Sequence, residues 1–279
     1  PMKAKILLSA SALCLGTLFV SAETITVKTA EEFIKALGPD REIVIESDDD
    51  LLLTPVLQRL VEKDLLPEYS YGFPEDNTFT GVGFFRSSNG PGLAVVGCPN
   101  LTITPGYAEA YITSTPRDAE VMIFQKCQNL KIEKMVMGHT DEGICNGAVL
   151  AVSDCAGVAI NDCKLYGCGT EGIVVSRSSD VTVSGTQIYG CSYHTLHVLE
   201  SQNIAFKDCI FRDNREFDQI NITDCENVAF IDCAFIELQG LLFNVESPTT
   251  FLNCKFDKCE YNPSETTTMV NCKVINEVK

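Results

Sequence analysis

Tryptophan is absent from all 279 residues, and histidine occurs three times. The first absence removes the largest aromatic platform on which a ligand ring stacks. The second confines imidazole chemistry to His139, His194 and His197. Basic residues are also scarce: 21 Lys and Arg stand against 38 Asp and Glu, a net charge of -17. So acidic a surface repels nucleic acid phosphates and anionic lipid headgroups, which bind basic stripes, and neither is an expected partner. Although there are 14 cysteines, none are paired as C-x2-C, so a zinc ribbon is excluded.

One long apolar run exists, residues 6–20, preceded by Lys3 and Lys5 and ending in Val20-Ser21-Ala22. It is shorter than the ~20 residues a spanning helix needs, and a polar sequence follows at once. Residues 1–22 therefore read as a cleaved signal peptide. The mature chain is expected to be secreted or periplasmic, with no membrane insertion. Loss of the two lysines takes the charge from -17 to -19, and thirteen cysteines remain. That odd number sits in a compartment that favours disulfides.

What is present is a repeat. Cys127-Gln-Asn-Leu-Lys-Ile132 recurs as Cys98-Pro-Asn-Leu-Thr-Ile, Cys155-Ala-Gly-Val-Ala-Ile, Ser178-Ser-Asp-Val-Thr-Val, Ser201-Gln-Asn-Ile-Ala-Phe and Cys225-Glu-Asn-Val-Ala-Phe, with a degenerate copy near Glu246. The steps are 29, 28, 23, 23, 24 and 21 residues. Each unit holds a polar corner and short stretches alternating at period two, such as Val158-Ala-Ile160 and Ile173-Val-Val175, which is the pattern of short strands with one buried face. No unit can bury its apolar face alone; stacked as coils at ~4.8 Å, the units form a solenoid.

These units, with a second small residue eight positions after the first, resemble right-handed parallel β-helix repeats of the pectate-lyase-like superfold. The resemblance covers about residues 95–275. It implies an all-β fold, a single right-handed solenoid of about seven to nine coils over residues 95–279, preceded by a cap and irregular first coils over residues 23–94. In that cap Thr29-Ala-Glu-Glu32 has the capping-box spacing that starts a helix ending by Gly38, suited to plug the open end. Thr54-Pro55 opens a second helix, expected through Leu66, and residues 69–92 read as a long loop or edge strands packed on it.

Register on this repeat sorts the cysteines. Cys98, Cys127, Cys155 and Cys225 share one column, with Ser178 and Ser201 as substitutes; Cys163, Cys209, Cys233, Cys254 and Cys272 fall on a second; Cys168, Cys191 and Cys259 fall on a third. Metal or catalytic cysteines gather at one place, whereas these recur with the fold's own period. They read as buried filler rather than a disulfide staircase. Cys145 alone stands apart, in the insertion at residues 141–145.

Function on a solenoid lies on an exposed lateral face. Seven positions before successive first-column residues lie Glu171, His194 and Asp218, expected to stack at the entrance to one strand. A Glu, a His and an Asp so placed suit general acid/base catalysis. They equally suit a divalent ion such as Ca2+, or a polar corner ladder whose groups satisfy one another. Around them, His197 points outward, and His139, Asp141, Glu142, Arg212 and Arg215 are candidate substrate-binding groups, the arginines for a uronate carboxylate. No motif demands a metal or cofactor. The resemblance implies polysaccharide as the partner and lyase or glycoside-hydrolase chemistry. Yet the Trp-x-Asp-His segment of pectate lyases is absent, and Gly138-His139-Thr140 echoes only part of the polygalacturonase set. No catalytic set carries over, and a non-catalytic structural or surface-interaction β-helix is the alternative.

Overall fold

The structure, a computed structural model, describes residues 22–70, 78–140, 147–167, 171–214 and 218–278. Residues 1–21 and the insertion at 141–145 lie outside them.

Each circuit of chain lays down three short strands, because its alternating stretches are brief and end at residues suited to sharp corners. Asp154, Asp162, Asp180, Asn203 and Asn227 sit at corners with φ between 53° and 56°, a left-handed conformation that Asp and Asn tolerate better than other side chains. The corner asparagines also bond along the axis: Asn203 Nδ2 donates to Asp180 Oδ1 at 3.0 Å, and Asn227 Nδ2 to Asn203 Oδ1 at 2.9 Å. The third position of the repeat is thus polar for two reasons, backbone conformation and axial bonding.

The circuit Ala156–Asn161, Lys164–Tyr166, Glu171–Ser176 is followed one rung on by Ser179–Ser184, Gln187–Tyr189, His194–Leu199. Their parallel register is Ile160 on Val183, Leu165 on Ile188 and Ile173 on Leu196, an offset of 23 residues at every wall. Repeated, this gives three sheets of ten, nine and eight strands among the described residues, here called first, second and third in the order the chain meets them. Seven circuits carry all three strands, and two more at the C-terminal end lack the third.

Residues 47–94, which fit the repeat poorly by sequence, belong to one of these circuits in disguise, running over residues 41–96. Arg41–Ile45, Leu51–Leu52 and Gly90–Val96 occupy the three sheets, with residues 53–89 inserted between the second and third strands. The insertion holds helix α2 (Thr54–Glu62), shorter than the expected end at Leu66, and the strand Gly81–Ser87. That strand pairs antiparallel with Gly90–Val96, against the parallel pairing elsewhere. Helix α1 (Ala30–Ala36) precedes the circuit: Thr29 Oγ1 accepts from Glu32 N at 3.2 Å, and buried Phe33 and Ile34 close the N-terminal end of the core. The Glu32 carboxylate reaches Lys28 N at 2.8 Å rather than the Thr29 N–H of an ordinary capping box.

The column residues share one task. Cys127 N donates to Cys155 Sγ at 3.3 Å, Cys155 N to Ser178 Oγ at 3.1 Å, and Ser178 N to Ser201 Oγ at 3.1 Å. Each Sγ or Oγ in turn donates to the carbonyl two residues back, as Cys155 does to Ser153 at 3.2 Å and Ser178 to Ser176 at 2.7 Å. Thiol and hydroxyl are exchangeable here because either one both accepts and donates. The same bond, Cys225 N to Ser247 Oγ at 2.8 Å, places the degenerate copy's column residue at Ser247, one beyond Glu246. All eleven described cysteines are free. Burial pushes the Cys163 thiol up to about 12, so that thiol stays protonated at neutral pH. Towards the C-terminal end the core changes from aliphatic to aromatic: Phe206, Phe230 and Phe251 stack at 4.8 and 4.6 Å, beside Phe211, Phe235 and Phe256 at 4.8 and 4.9 Å.

Candidate functional site

The third sheet carries one outward row that changes character along the axis. In register it reads Ala94, Ile123, Ala151, Val174, His197, Asn221, Asn244. The insertion covers its first part: Tyr69 and Phe85 pack with Ala94, Ile123, Ala151 and Ala119 in a second apolar cluster outside the solenoid. Tyr69 N donates to Phe84 O at 2.7 Å, which fixes this flap to the hairpin. Beyond Val174 the row is polar.

A second row runs along the entrances of the same strands. Glu171 lies opposite His194, and the pairing of Leu196 with Ile220 sets His194 opposite Asp218. The same register, followed the other way, leads through Ala148 to Glu120. The sequence reading missed Glu120, although it lies seven positions before Cys127 and the counting rule that found Glu171 finds it too.

Side-chain directions then select among these groups. Glu171 Oε1 lies 3.4 Å from His197 Nδ1, with the two side chains 17% and 27% exposed. The His194 ring is 5.7 Å from that of His197, but its Nδ1 donates to the backbone carbonyl of Asp218. The row therefore stacks, while the carboxylate–imidazole pair joins Glu171 to His197, and His194 is held by the backbone of the next circuit. Arg212 belongs to another face: its guanidinium lies 4.0 Å from the Tyr189 ring centroid on the second sheet and pairs with Asp213. It is not brought beside Glu171, because it ends the second strand of its circuit and the chain must turn again to reach the third sheet. His139 is 4% exposed and so presents no surface to a ligand. Asp141, Glu142 and Arg215 lie outside the described residues.

His139 has a different place. Its Nε2 donates to Ala119 O at 2.8 Å, and Gly147 N donates to Arg117 O at 3.0 Å. Together they hold the segment that carries Asp118 and Glu120. The approach is so close that a Cβ on residue 147 would lie 2.2 Å from Ala119 O, which requires glycine there.

That segment forms one wall of a cleft of about 410 Å³ whose other walls include Glu68, Tyr69, Phe85 and Arg86. Burial pushes the Glu120 carboxyl up to about 7, and the negative charge of Glu171 adds to the shift. Asp118 behaves in the opposite way. Burial works against its charge, but bonds from Ser88, Ser87 and Asn89 outweigh it and hold the carboxyl down at about 2. Two carboxyls two positions apart are thus driven to different protonation states, the division of labour that acid/base chemistry uses. A larger hollow of about 440 Å³ follows the corner over Arg177, Glu200 and Asp224, but its Ser178 and Ser201 already belong to the first column. Among the described residues no three His, Cys, Asp or Glu side chains converge closely enough to hold a metal ion.

The family model described as a right handed beta helix region matches residues 147–279. No curated protein matches the chain. Among solved structures it is similar to a putative glycosyl hydrolase from Parabacteroides merdae ATCC 43184, with 9% identity, a TM-score of 0.38, and 90% of this chain and 96% of that one covered. It is also similar to the pectate lyase Pel9A, at 10% identity and TM-score 0.38, with 94% and 80% covered. A third is the A-module of mannuronan C-5 epimerase AlgE4 from Azotobacter vinelandii, at 11% identity and TM-score 0.34, with 92% and 86% covered.

Proposed function

We propose that this chain, a right-handed parallel β-helix protein of the pectate-lyase-like superfold, is exported and binds a polysaccharide along its third face, processing it beside the flap. The observation that carries the reading is the Glu171–His197 pair at 3.4 Å, part-exposed on the outward side next to the cleft that holds Glu120. In a general acid/base reaction, Glu120 is suited to give a proton at neutral pH, because its environment delays ionisation. The Glu171 carboxylate orients the His197 imidazole, which is thereby placed as the complementary base. Tyr69 and Phe85, both buried, form the apolar backing of the cleft.

The test is binding and turnover on a panel of neutral, acidic and amino-sugar glycans, with and without calcium. Wild type is compared with Glu171→Ala, His197→Ala, His194→Ala and Asp218→Ala. Loss of turnover is expected in the first two, and a smaller loss in the last two. Unchanged activity in all four variants would sink the site, and no binding to any glycan would sink the reading. The second reading, a non-catalytic module, draws on His194, whose Nδ1 is already satisfied by Asp218 O; it is favoured if glycans bind but none is turned over.

A further inference from the structure

The charges around the cleft indicate which glycan it takes, given the reading of the cleft as a glycan site. Arg86 is the one base among its described lining residues, and its Nε is engaged by Glu68 Oε1 at 3.0 Å while its guanidinium lies 5.3 Å from the Phe84 ring centroid. On the neighbouring rungs, Arg177 Nε donates to Asp154 Oδ1 at 2.8 Å. Arg212 is turned to the second sheet, over Tyr189. These guanidiniums are committed to carboxylates or rings, so none is poised to grip a uronate.

The carboxylates are placed differently. Asp118 is bound by hydroxyls and a backbone N–H, with Ser87 Oγ at 2.8 Å and Ser88 N at 2.7 Å. Those bonds fix its orientation and keep it ionised without cancelling its charge. Glu171 has an imidazole rather than a guanidinium as partner, and Glu120 adds a further negative charge once it ionises. Behind the cleft lie the buried rings of Tyr69 and Phe85, and a low-dielectric backing strengthens any charge–charge term across it.

We propose that the cleft between Tyr69, Phe85 and Asp118 takes a glycan that carries positive charge, an amino-sugar oligomer, and rejects uronates. Asp118 accepts hydrogen bonds from an ammonium group in the cleft, and the charge of Glu171, which reaches Glu120, adds to the attraction. A uronate carboxylate in the same place would face like charge from Asp118, which works against binding.

The experiment is calorimetry on the secreted chain with three hexasaccharides at low salt, each with and without calcium: a glucosamine hexamer at a pH where its amines are charged, its N-acetylated neutral counterpart, and a galacturonate hexamer. The expected order of affinity is amine, then neutral, then uronate, with about tenfold or more between first and last and a steep loss of the amine's advantage in high salt. Asp118→Asn is expected to weaken the amine hexamer about tenfold and leave the neutral one within about twofold. Glu171→Gln serves as the second variant if loss of the serine bonds unsettles the hairpin, with the same expectation. Uronate binding as tight as the amine, with or without calcium, overturns the charge assignment and leaves the glycan reading standing. Equal affinity for amine and neutral hexamers also overturns it. Failure of every glycan in the wider panel overturns both.

Discussion

The two halves of the third face have similar interior walls and opposite exteriors. Inside, Leu93, Leu150, Ile173, Leu196 and Ile220 are all buried. Outside, the N-terminal half is apolar and roofed by Tyr69 and Phe85, while the C-terminal half carries His197, Asn221 and Asn244 with no such roof among the described residues. The inward positions answer to the solenoid, which demands the same thing at every rung. The outward positions answer to whatever lies above them. A site forms at the boundary because a covered, apolar region and a wet, polar one meet there, and groups in it are partly desolvated without being sealed off.

Removing the roof is the severest way to test this contrast. Phe85→Ala should cost about 3 kcal/mol or more in urea unfolding, since a buried ring is lost and a gap left over Ala94. Asn221→Ala on the open half should stay within about 0.5 kcal/mol. Comparable losses at both positions would mean that the halves do not differ as described.

The next effect depends on pH. Glu120 is protonated in the fold up to about 7, above its ordinary value of 4.5. Below 4.5 both folded and unfolded chains hold the proton and the group costs nothing. Between 4.5 and 7 the unfolded chain releases it while the fold retains it, so stability falls as pH rises, and above 7 the loss is complete. Glu120→Gln should therefore be indistinguishable from wild type at pH 4 and more stable at pH 8, by about 1–2 kcal/mol after allowance for its partial exposure. Equal stability at pH 8 would place Glu120 in open water, outside the boundary.

The smallest expected effect sharpens the contrast by showing where it stops. Cys155→Ser lies under the covered half and Ser201→Cys under the open half, and both preserve the bond from the preceding circuit's N–H. Each should change stability by less than about 1 kcal/mol, while Cys155→Ala leaves that N–H unpaired and should cost about 1–3 kcal/mol. Thermal unfolding of the three variants checks this. A large difference between the two conservative swaps would show that the halves differ in their walls as well as on their surface.

Much of this was legible before any coordinates, because a solenoid writes its geometry into the sequence as a period. The 23-residue step from Tyr166 to Tyr189 is one circuit, and the two rings stack at 5.8 Å. The cysteine columns were legible for the same reason: a residue type that recurs with the fold belongs to the fold. The circuit hidden in residues 41–96 was not, since its 37-residue insertion, residues 53–89, breaks the period. Nor was the choice of partner at the site. Register sets Glu171 beside His194, but a side chain reaches several ångströms along the sheet, and His197 on the outward row meets its carboxylate instead. Periodicity also drew attention to the ionisable run at 171, 194 and 218 while passing over Glu120, because Ala148 interrupts that run.

The fixed step of the coils makes the third face a graduated scale. With strands ~4.8 Å apart, Glu120 and Glu171 stand two divisions apart, and His194 and Asp218 follow at one division each. A polymer lying along the axis would meet these marks in fixed sequence, and removing residues 225–246, one whole circuit beyond them, would shorten the face by a single division without touching any mark. Such a deletion would shorten the track while leaving the site's chemistry intact, which makes the length of the bound oligomer, rather than its composition, the property that the number of coils controls.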